Sequence, residues 1–184
     1  MRLQSFIGAL ALAVGLAGRA GASVTVVDDT SAKMCSEAAL QHRADADSLR
    51  ACSEALEQGS LQKRDLAATY INRGAVLMNR HDYAAARADL EHAIQLDPTV
   101  GDAWMNRGAI NIIERRYAEG IADTTKGLGL GVSEPAKAYF NRAVAYEAID
   151  DEKSAYLDYQ QALVLQPDWE APKHELLRFT VTRQ

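Results

Sequence analysis

The chain has 184 residues, of which 48% are hydrophobic and 24% are charged, and its formal net charge at pH 7 is −5. This length suits one domain with a continuous core. An acidic chain without a cluster of lysine and arginine is a poor binder of nucleic acid or of an anionic membrane surface. Protein or peptide partners are therefore the favoured class, and no nucleic acid is expected.

The N-terminus has the three parts of a secretory signal peptide. Arg2 gives the positive n-region, residues 6–17 form an apolar h-region, and residues 20–22 (Ala-Gly-Ala) form a small-residue cleavage site. The apolar run is shorter than the roughly 20 residues that a membrane span needs. We therefore expect residues 1–22 to be removed, leaving a periplasmic or secreted chain with no membrane attachment. Residues 23–30 are predicted as a flexible leader arm, with a strand-like arm as the alternative.

A degenerate helical hairpin is predicted at residues 31–60, with helices over 31–42 and 47–58. Repeats of similar length follow in the chain. When their position numbers are extended back to residues 31–60, Cys35 and Cys52 fall on facing sides of these two helices. Disulfides persist in the oxidising compartments that exported proteins reach. We therefore predict a Cys35–Cys52 disulfide. The alternative is two free cysteines acting as small core residues.

One short motif then occurs three times. The copies begin at Tyr70, Trp104 and Tyr139 and read YINRGA, WMNRGA and YFNRAV, at spacings of 34 and 35 residues. Such a period is typical of a helix-turn-helix solenoid. Helices are predicted over residues 62–79, 82–96, 101–115, 117–126, 134–149 and 151–165. A capping helix over 169–179 is predicted to cover the open apolar face of the last repeat.

Further spaced positions agree in the three copies. With the aromatic residue counted as position 4, small residues recur at positions 8, 20 and 27, and prolines end the first and third copies at position 32. Over about residues 67–169 these positions resemble the tetratricopeptide repeat family. The resemblance implies an all-α, right-handed solenoid of antiparallel helix pairs, with three clear repeats, the degenerate hairpin before them and the capping helix after them. The array proper is expected over residues 61–184.

An arginine at position 7 and an aspartate at position 23 recur in every repeat. The pairs are Arg73 with Asp89, Arg107 with Asp123, and Arg142 with Asp158. The hairpin turn should bring the two side chains together, so we interpret them as structural ion pairs that fix the register of the two helices. A row of arginines that binds phosphate or carboxylate ligands is the alternative, which is disfavoured because a paired guanidinium is not free.

An asparagine recurs at position 6, in Asn72, Asn106 and Asn141. A side-chain amide can donate to and accept from a peptide backbone. In the tetratricopeptide family this position lines the concave wall, and some members hold extended peptides with such an asparagine ladder. The resemblance therefore implies a partner-binding groove. The alternative is that each asparagine bonds to the backbone of the neighbouring repeat.

The other predicted groove residues are apolar: Ile71, Ala75, Met78, Met105, Ala109, Ile112, Phe140 and Val144. Chaperone-binding members of the family place lysine or arginine on this wall to bind a terminal carboxylate, but positions 5 and 9 are apolar here. Lys137, at position 2 of the third repeat, adds a cation. Such a groove suits an extended or helical apolar segment. Alternatively, the chain's own arm or a second copy fills it.

Signals for catalysis are weak. The histidines at positions 42, 81, 92 and 174 have no second histidine at metal-ligand spacing. The glycine-rich segment at residues 127–131 has neither the preceding strand nor the lysine of a phosphate loop, and we interpret it as a loop that closes a degenerate repeat. We therefore expect no enzyme activity, no cofactor and no metal.

The sequence thus predicts an exported, non-enzymatic protein-interaction module that binds a partner peptide or helix in its concave groove. The alternative is a structural or self-associating scaffold subunit, whose groove is filled constitutively. A homo-oligomer is compatible with either hypothesis. Concentration-dependent mass would separate a self-associating subunit from a monomeric adaptor.

Overall fold

The computed structural model describes residues 2–5, 30–58 and 61–182, which form consecutive helical hairpins. The helices are α1 (Thr30–Leu40), α2 (Ala46–Glu57), α3 (Lys63–Asn79), α4 (Tyr83–Leu96), α5 (Gly101–Ile113), α6 (Tyr117–Leu130), α7 (Pro135–Ala148), α8 (Glu152–Leu165) and α9 (Glu170–Leu176). Each helix packs against the next, and α1, α3, α5 and α7 also contact one another in sequence. The predicted all-α solenoid is confirmed. None of these helices is long and apolar enough to span a bilayer.

Two short strands, which the sequence analysis did not predict, lie at the C-terminal end of the array. Strand β1 (Arg2–Ser5) pairs antiparallel with β2 (Phe179–Thr182) and also contacts α8. The predicted capping helix is therefore shorter than expected, because the chain leaves helical geometry after α9. The residue types of β2, Phe-Thr-Val-Thr, favour a strand. Strand β1 lies within the predicted signal peptide. The other residues of that peptide, and residues 23–29 of the predicted arm, lie outside the described residues.

Small residues at position 8 face the second helix of their own hairpin. A Cβ added to Gly74 would lie 3.3 Å from the Leu90 side chain on α4. A Cβ added to Gly108 would lie 2.5 Å from Thr124 Oγ1 on α6. The recurrence of small residues at this position therefore reflects the close approach of two helices. Apolar side chains fill the space beside these contacts and form the core.

The turn inside each hairpin contains a residue with positive φ that is not glycine. These residues are His42, His81, Arg115 and Asp150, with φ between 54° and 62°. In all four turns, the following amide donates to the carbonyl five residues earlier, as in Asp82 N to Leu77 O at 3.0 Å. This hydrogen bond is that of a Schellman motif, which ends a helix through a left-handed residue.

The glycine-rich segment was predicted to be a loop, and that prediction is wrong for most of its length. Helix α6 continues to Leu130 and ends at Gly131, whose φ is +89°. A Cβ added to Gly127 would lie 2.7 Å from the carbonyl oxygen of Gly101, and one added to Gly101 would lie 2.6 Å from the carbonyl oxygen of Gly127. Glycine is therefore required where the start of α5 meets the end of α6.

We expect Gly129→Ala to raise the free energy of unfolding by about 0.5–1 kcal/mol, because alanine favours the helix. A Cβ at this position meets no atom within 4 Å. Gly127→Ala is the matched control. Alanine favours the helix at this position too, but its Cβ would overpack against α5, which costs about 1–3 kcal/mol. Urea unfolding of both variants tests the pair of effects. Stabilisation by Gly127→Ala would contradict the close approach of α5 and α6.

The predicted disulfide is present. Cys35 on α1 and Cys52 on α2 are joined by an S–S bond of 2.06 Å, and both residues are fully buried. They form a small core cluster with Ala38 of α1 and Val76 of α3. The bond therefore crosslinks the degenerate hairpin at the point where it packs on the first clear repeat.

Replacing both cysteines with alanine should lower the free energy of unfolding by about 3 kcal/mol, because the crosslink closes a loop and restricts the unfolded chain. The sequence separation of the two cysteines is 17 residues. Reduction should destabilise the wild-type protein and leave the double-alanine variant unchanged. Alkylation of the purified protein without reduction, followed by mass spectrometry, gives a second check: two alkylated cysteines would contradict the bond.

Candidate functional site

The first helix of every clear repeat is tied to its second helix by a bidentate ion pair. The two nitrogen–oxygen distances are 2.7 and 2.8 Å for Arg73–Asp89, 2.7 and 2.7 Å for Arg107–Asp123, and 2.7 and 2.9 Å for Arg142–Asp158. The aspartates are buried, and their hydrogen bonds raise the pKa of each arginine. These side chains are therefore committed to one another and are not available to a ligand.

An aromatic ring lies beside each of these arginines. The guanidinium carbon of Arg107 is 4.8 Å from the centre of the Trp104 ring, and the matching distances are 5.7 Å in the first repeat and 5.4 Å in the third. From the sequence, these aromatic residues were used only to set the register of the repeats. Each lies three residues before its arginine, and this spacing could have predicted the contact, because residues three apart are neighbours on a helix. The ring stabilises the cation by a cation–π interaction.

Two of the arginines also reach the preceding hairpin. Arg73 Nη1 donates to Ser53 Oγ on α2 at 3.4 Å, and Arg142 Nη1 donates to Thr125 Oγ1 on α6 at 2.9 Å. Ser53 and Thr125 hold the same place in their respective hairpins. The arginine therefore connects two adjacent repeats as well as the two helices of its own repeat.

We expect Arg107→Ala to lower the free energy of unfolding by about 2–4 kcal/mol, because the buried Asp123 carboxylate would lose its countercharge. Asn111 Nδ2 would remain as a hydrogen-bond donor to it, at 3.0 Å. Adding Asp123→Ala should recover part of the loss, since it removes the uncompensated charge. Chemical unfolding of the two single variants and the double variant measures the coupling. Strictly additive losses would show that the pair is not coupled.

The three predicted groove asparagines are almost completely buried. Their exposed fractions are 0% for Asn72, 1% for Asn106 and 7% for Asn141. Among the described residues, Asn106 Nδ2 has no hydrogen-bond partner, and neither has Nδ2 of Asn79, near the end of α3. A buried donor without an acceptor costs about 1–3 kcal/mol. The wall of first helices therefore carries two amide donors that residues 2–5, 30–58 and 61–182 leave without an acceptor.

The predicted apolar wall separates into covered and partly open residues. The covered ones are Ile71, Ala75, Met78, Met105, Ile112 and Phe140, whereas Ala109 and Val144 are partly exposed. A Cβ added to Gly120 would lie 2.5 Å from Ile112 Cγ1, and one added to Gly127 would lie 3.4 Å from Met105 Cβ. Ile112 and Met105 therefore contact the second helix of their own hairpin. The part of the wall open to a partner is smaller than the sequence predicts.

Phe140 belongs to an aromatic cluster at the C-terminal end of the array. Its ring centre is 4.8 Å from that of Trp169 and 5.5 Å from that of Tyr159. Tyr159 donates to Glu147 Oε2 at 3.0 Å, and burial is the main cause that raises the pKa of this phenol. Phe140 was predicted to line the groove. A capping helix was predicted to cover the last repeat, but the contact of Trp169 with Phe140 was not predicted.

The polar residues elsewhere give no catalytic constellation. Lys137, the predicted groove cation, forms an ion pair with Glu134 at 2.5 Å. His81 lies 2.8 Å from the Tyr83 hydroxyl, and His92 stacks on Tyr70 with ring centres 5.3 Å apart. In the part of the chain that the structure describes, no group of three or more histidine, cysteine, aspartate or glutamate side chains could hold a metal ion.

Comparison with known proteins agrees with this architecture. Models of the tetratricopeptide repeat match residues 67–100 and 136–168. The chain is 30% identical over 111 residues to the DnaJ homolog subfamily C member 7 homolog of Schizosaccharomyces pombe. This match covers 58% of the present chain and 23% of the relative, so the chain spans about a quarter of the length of that protein.

Solved structures with the same fold include the Arabidopsis OM64 TPR domain and MamA of Desulfovibrio magneticus RS-1. The OM64 domain has a TM-score of 0.60 and 23% identity, over 64% of the present chain and 96% of that domain. MamA has a TM-score of 0.63 and 20% identity, over 80% of the present chain and 82% of that protein. The chain is a solenoid of tetratricopeptide repeats, a fold that generally serves as a non-enzymatic protein-interaction module.

Proposed function

We propose that this protein is an exported interaction module that captures a partner segment along the wall formed by the first helices of its repeats. The observation that carries the proposal is the unpaired amide donor of Asn106, which is 1% exposed. Asn106 holds the place at which related arrays contact peptide backbone. A carbonyl oxygen of an incoming segment would satisfy this donor.

The energetics favour a backbone carbonyl as the group that Asn106 binds. A buried donor that lacks an acceptor destabilises the free protein, so a new hydrogen bond there relieves a cost that is already present. Every peptide has a carbonyl at each residue, so this contact is independent of the partner's sequence. Asn79 Nδ2 offers a second donor of the same kind on α3.

The partly exposed apolar residues give the captured segment its remaining contacts. Ala109 and Val144 each follow a position-6 asparagine by three residues, which is close to one helical turn. They therefore lie near Asn106 and Asn141 on the same faces of α5 and α7. Because positions 5 and 9 carry no lysine or arginine, the wall lacks a clamp for a terminal carboxylate. An internal, apolar segment is the partner that suits this surface.

Export is supported by two independent features. Residues 1–22 have the composition of a secretory signal peptide. The Cys35–Cys52 disulfide is of the kind that persists in oxidising compartments such as the periplasm. Both features favour a periplasmic or secreted site of action.

We expect Asn106→Ala to weaken capture of the partner about fivefold or more, because the partner's carbonyl loses its hydrogen bond while the free protein loses only an unsatisfied donor. The partner is first identified by photo-crosslinking in cells from Ala109, followed by mass spectrometry. Its binding is then measured with the purified wild-type and variant proteins.

Arg107→Ala, at the next residue, is the control, because it should lower stability through the loss of an ion pair and not through the loss of a partner contact. If Asn106→Ala destabilised the protein as much as Arg107→Ala and left capture unchanged, the asparagines would be structural. That result would contradict the proposed groove.

A structural or self-associating scaffold subunit is the second candidate function. The observation that favours it is that Ile71, Asn72 and Ala75 are already completely buried within the chain, so this part of the predicted wall is not open to a separate partner. Sedimentation over a wide range of dilution separates the two functions. A mass that falls on dilution would favour self-association, whereas a constant monomer mass would favour capture of a different protein.

A further inference from the structure

The C-terminal strand is held firmly against the third repeat. Arg178, immediately before β2, donates to both carboxylate oxygens of Glu147 on α7, at 2.6 and 2.9 Å. Phe179, the first residue of β2, is 7% exposed, and its ring lies 5.8 Å from Tyr156 and 6.1 Å from Tyr159. The strand therefore starts from a fixed point, and little ordering would be needed for another strand to pair with it.

The partner of β2 comes from the other end of the chain. In the antiparallel register Leu3 lies opposite Val181 and Ser5 lies opposite Phe179. Strand β1 also contacts α8, so it is seated on the array as well as on β2. An extended segment of four residues is thus sufficient to pair with this strand.

Strand β1 lies within the residues that a signal peptidase is expected to remove. Loss of residues 1–22 would leave the backbone amides and carbonyls of this edge of β2 without their partners. An open strand edge is a template for another extended segment, which binds by main-chain hydrogen bonds.

We propose that the β2 edge is a docking site for an extended segment of a partner protein, which β1 occupies until the leader is removed. This surface is separate from the wall that carries Asn106, so the inference rests on the proposed export of the chain and not on the proposed groove. The occupant has the residue pattern of β1 in the same register: an aliphatic residue opposite Val181, a small residue opposite Phe179, and polar residues at the two alternate positions.

A linear segment fits this site better than a second copy of the chain. The occupant must lie against α8 while it pairs with β2, as β1 does. In a second copy, strand β2 follows α9 after two residues and is anchored to its own third repeat by Arg178 and Phe179, so it is not a free segment. A linear segment has no such anchors.

Opening the edge in the full chain tests the proposal. The variant Gln4→Pro removes a backbone donor from β1 and should release it, because proline disfavours a paired strand. The probe is a fluorescent peptide with the sequence of residues 1–5, and its binding is followed by anisotropy. We expect the Gln4→Pro chain to bind the probe at least tenfold more tightly than the wild-type chain. Neighbouring residues of an antiparallel strand donate to opposite edges, so Leu3→Pro is tested in parallel to cover the other donor, and the more strongly binding of the two chains is compared with the wild-type chain.

Two controls define the site. Adding Thr180→Pro to Gln4→Pro should abolish binding while circular dichroism shows an intact helical array, and a probe of reversed sequence should not bind. Equal binding by the wild-type and Gln4→Pro chains, or no binding by a folded Gln4→Pro chain, would overturn the proposal. A Gln4→Pro chain that dimerises, and returns to a monomer with Thr180→Pro, would also overturn it, because the occupant would then be a second copy.

Discussion

The bidentate pair between an arginine of the first helix and an aspartate of the second fixes the register on which every repeat depends. Successive residues of a helix are rotated by about 100°, so a shift of one residue would turn the aspartate away from the guanidinium. The same register brings Gly108 against α6 and allows the helices to approach. Because desolvation offsets much of the Coulomb energy of such pairs, their main contribution is to select one alignment among several that bury similar apolar area.

The second repeat lacks a helix cap that the other two clear repeats have. The N-cap residue of α6, Arg116, makes no side-chain cap hydrogen bond, whereas α4 and α8 are capped by Asp82 and Asp151. Thr124 Oγ1 and Asn111 Oδ1 are buried there without hydrogen bonds. Since the stability of a solenoid is close to a sum of local terms, these costs remain local. The uncapped start of α6 and these two buried oxygens therefore lie in the same repeat as Asn106.

The helices and their pairing could be predicted because small residues, prolines and the arginine–aspartate spacing all report contacts within one hairpin. The glycine-rich segment was misread as a loop, because glycine favours loops in general. Here Gly127 lies within a helix and is required by the close approach of Gly101 and Met105, more than 20 residues earlier in the chain. The pairing of β1 with β2 joins opposite ends of the chain and leaves no periodic signal. Burial of the predicted wall was missed for a related reason: position on a helix face gives the direction of a side chain, but the neighbours decide how much of it stays open.

Adjacent residues in one helix can therefore have separate roles in this fold. Arg107 makes both of its carboxylate hydrogen bonds inside the hairpin, and the neighbouring donor of Asn106 makes none. Neighbouring residues of a helix point in directions about 100° apart. The Arg107 side chain can therefore hold the register while the Asn106 side chain beside it leaves its hydrogen bond unmade. A buried, unsatisfied donor would normally be removed by substitution with an apolar residue, because such a replacement is nearly neutral or stabilising. Its presence beside a fully satisfied ion pair is physically reasonable if an acceptor arrives from outside the chain, and this is the reason for proposing that Asn106 takes part in partner capture.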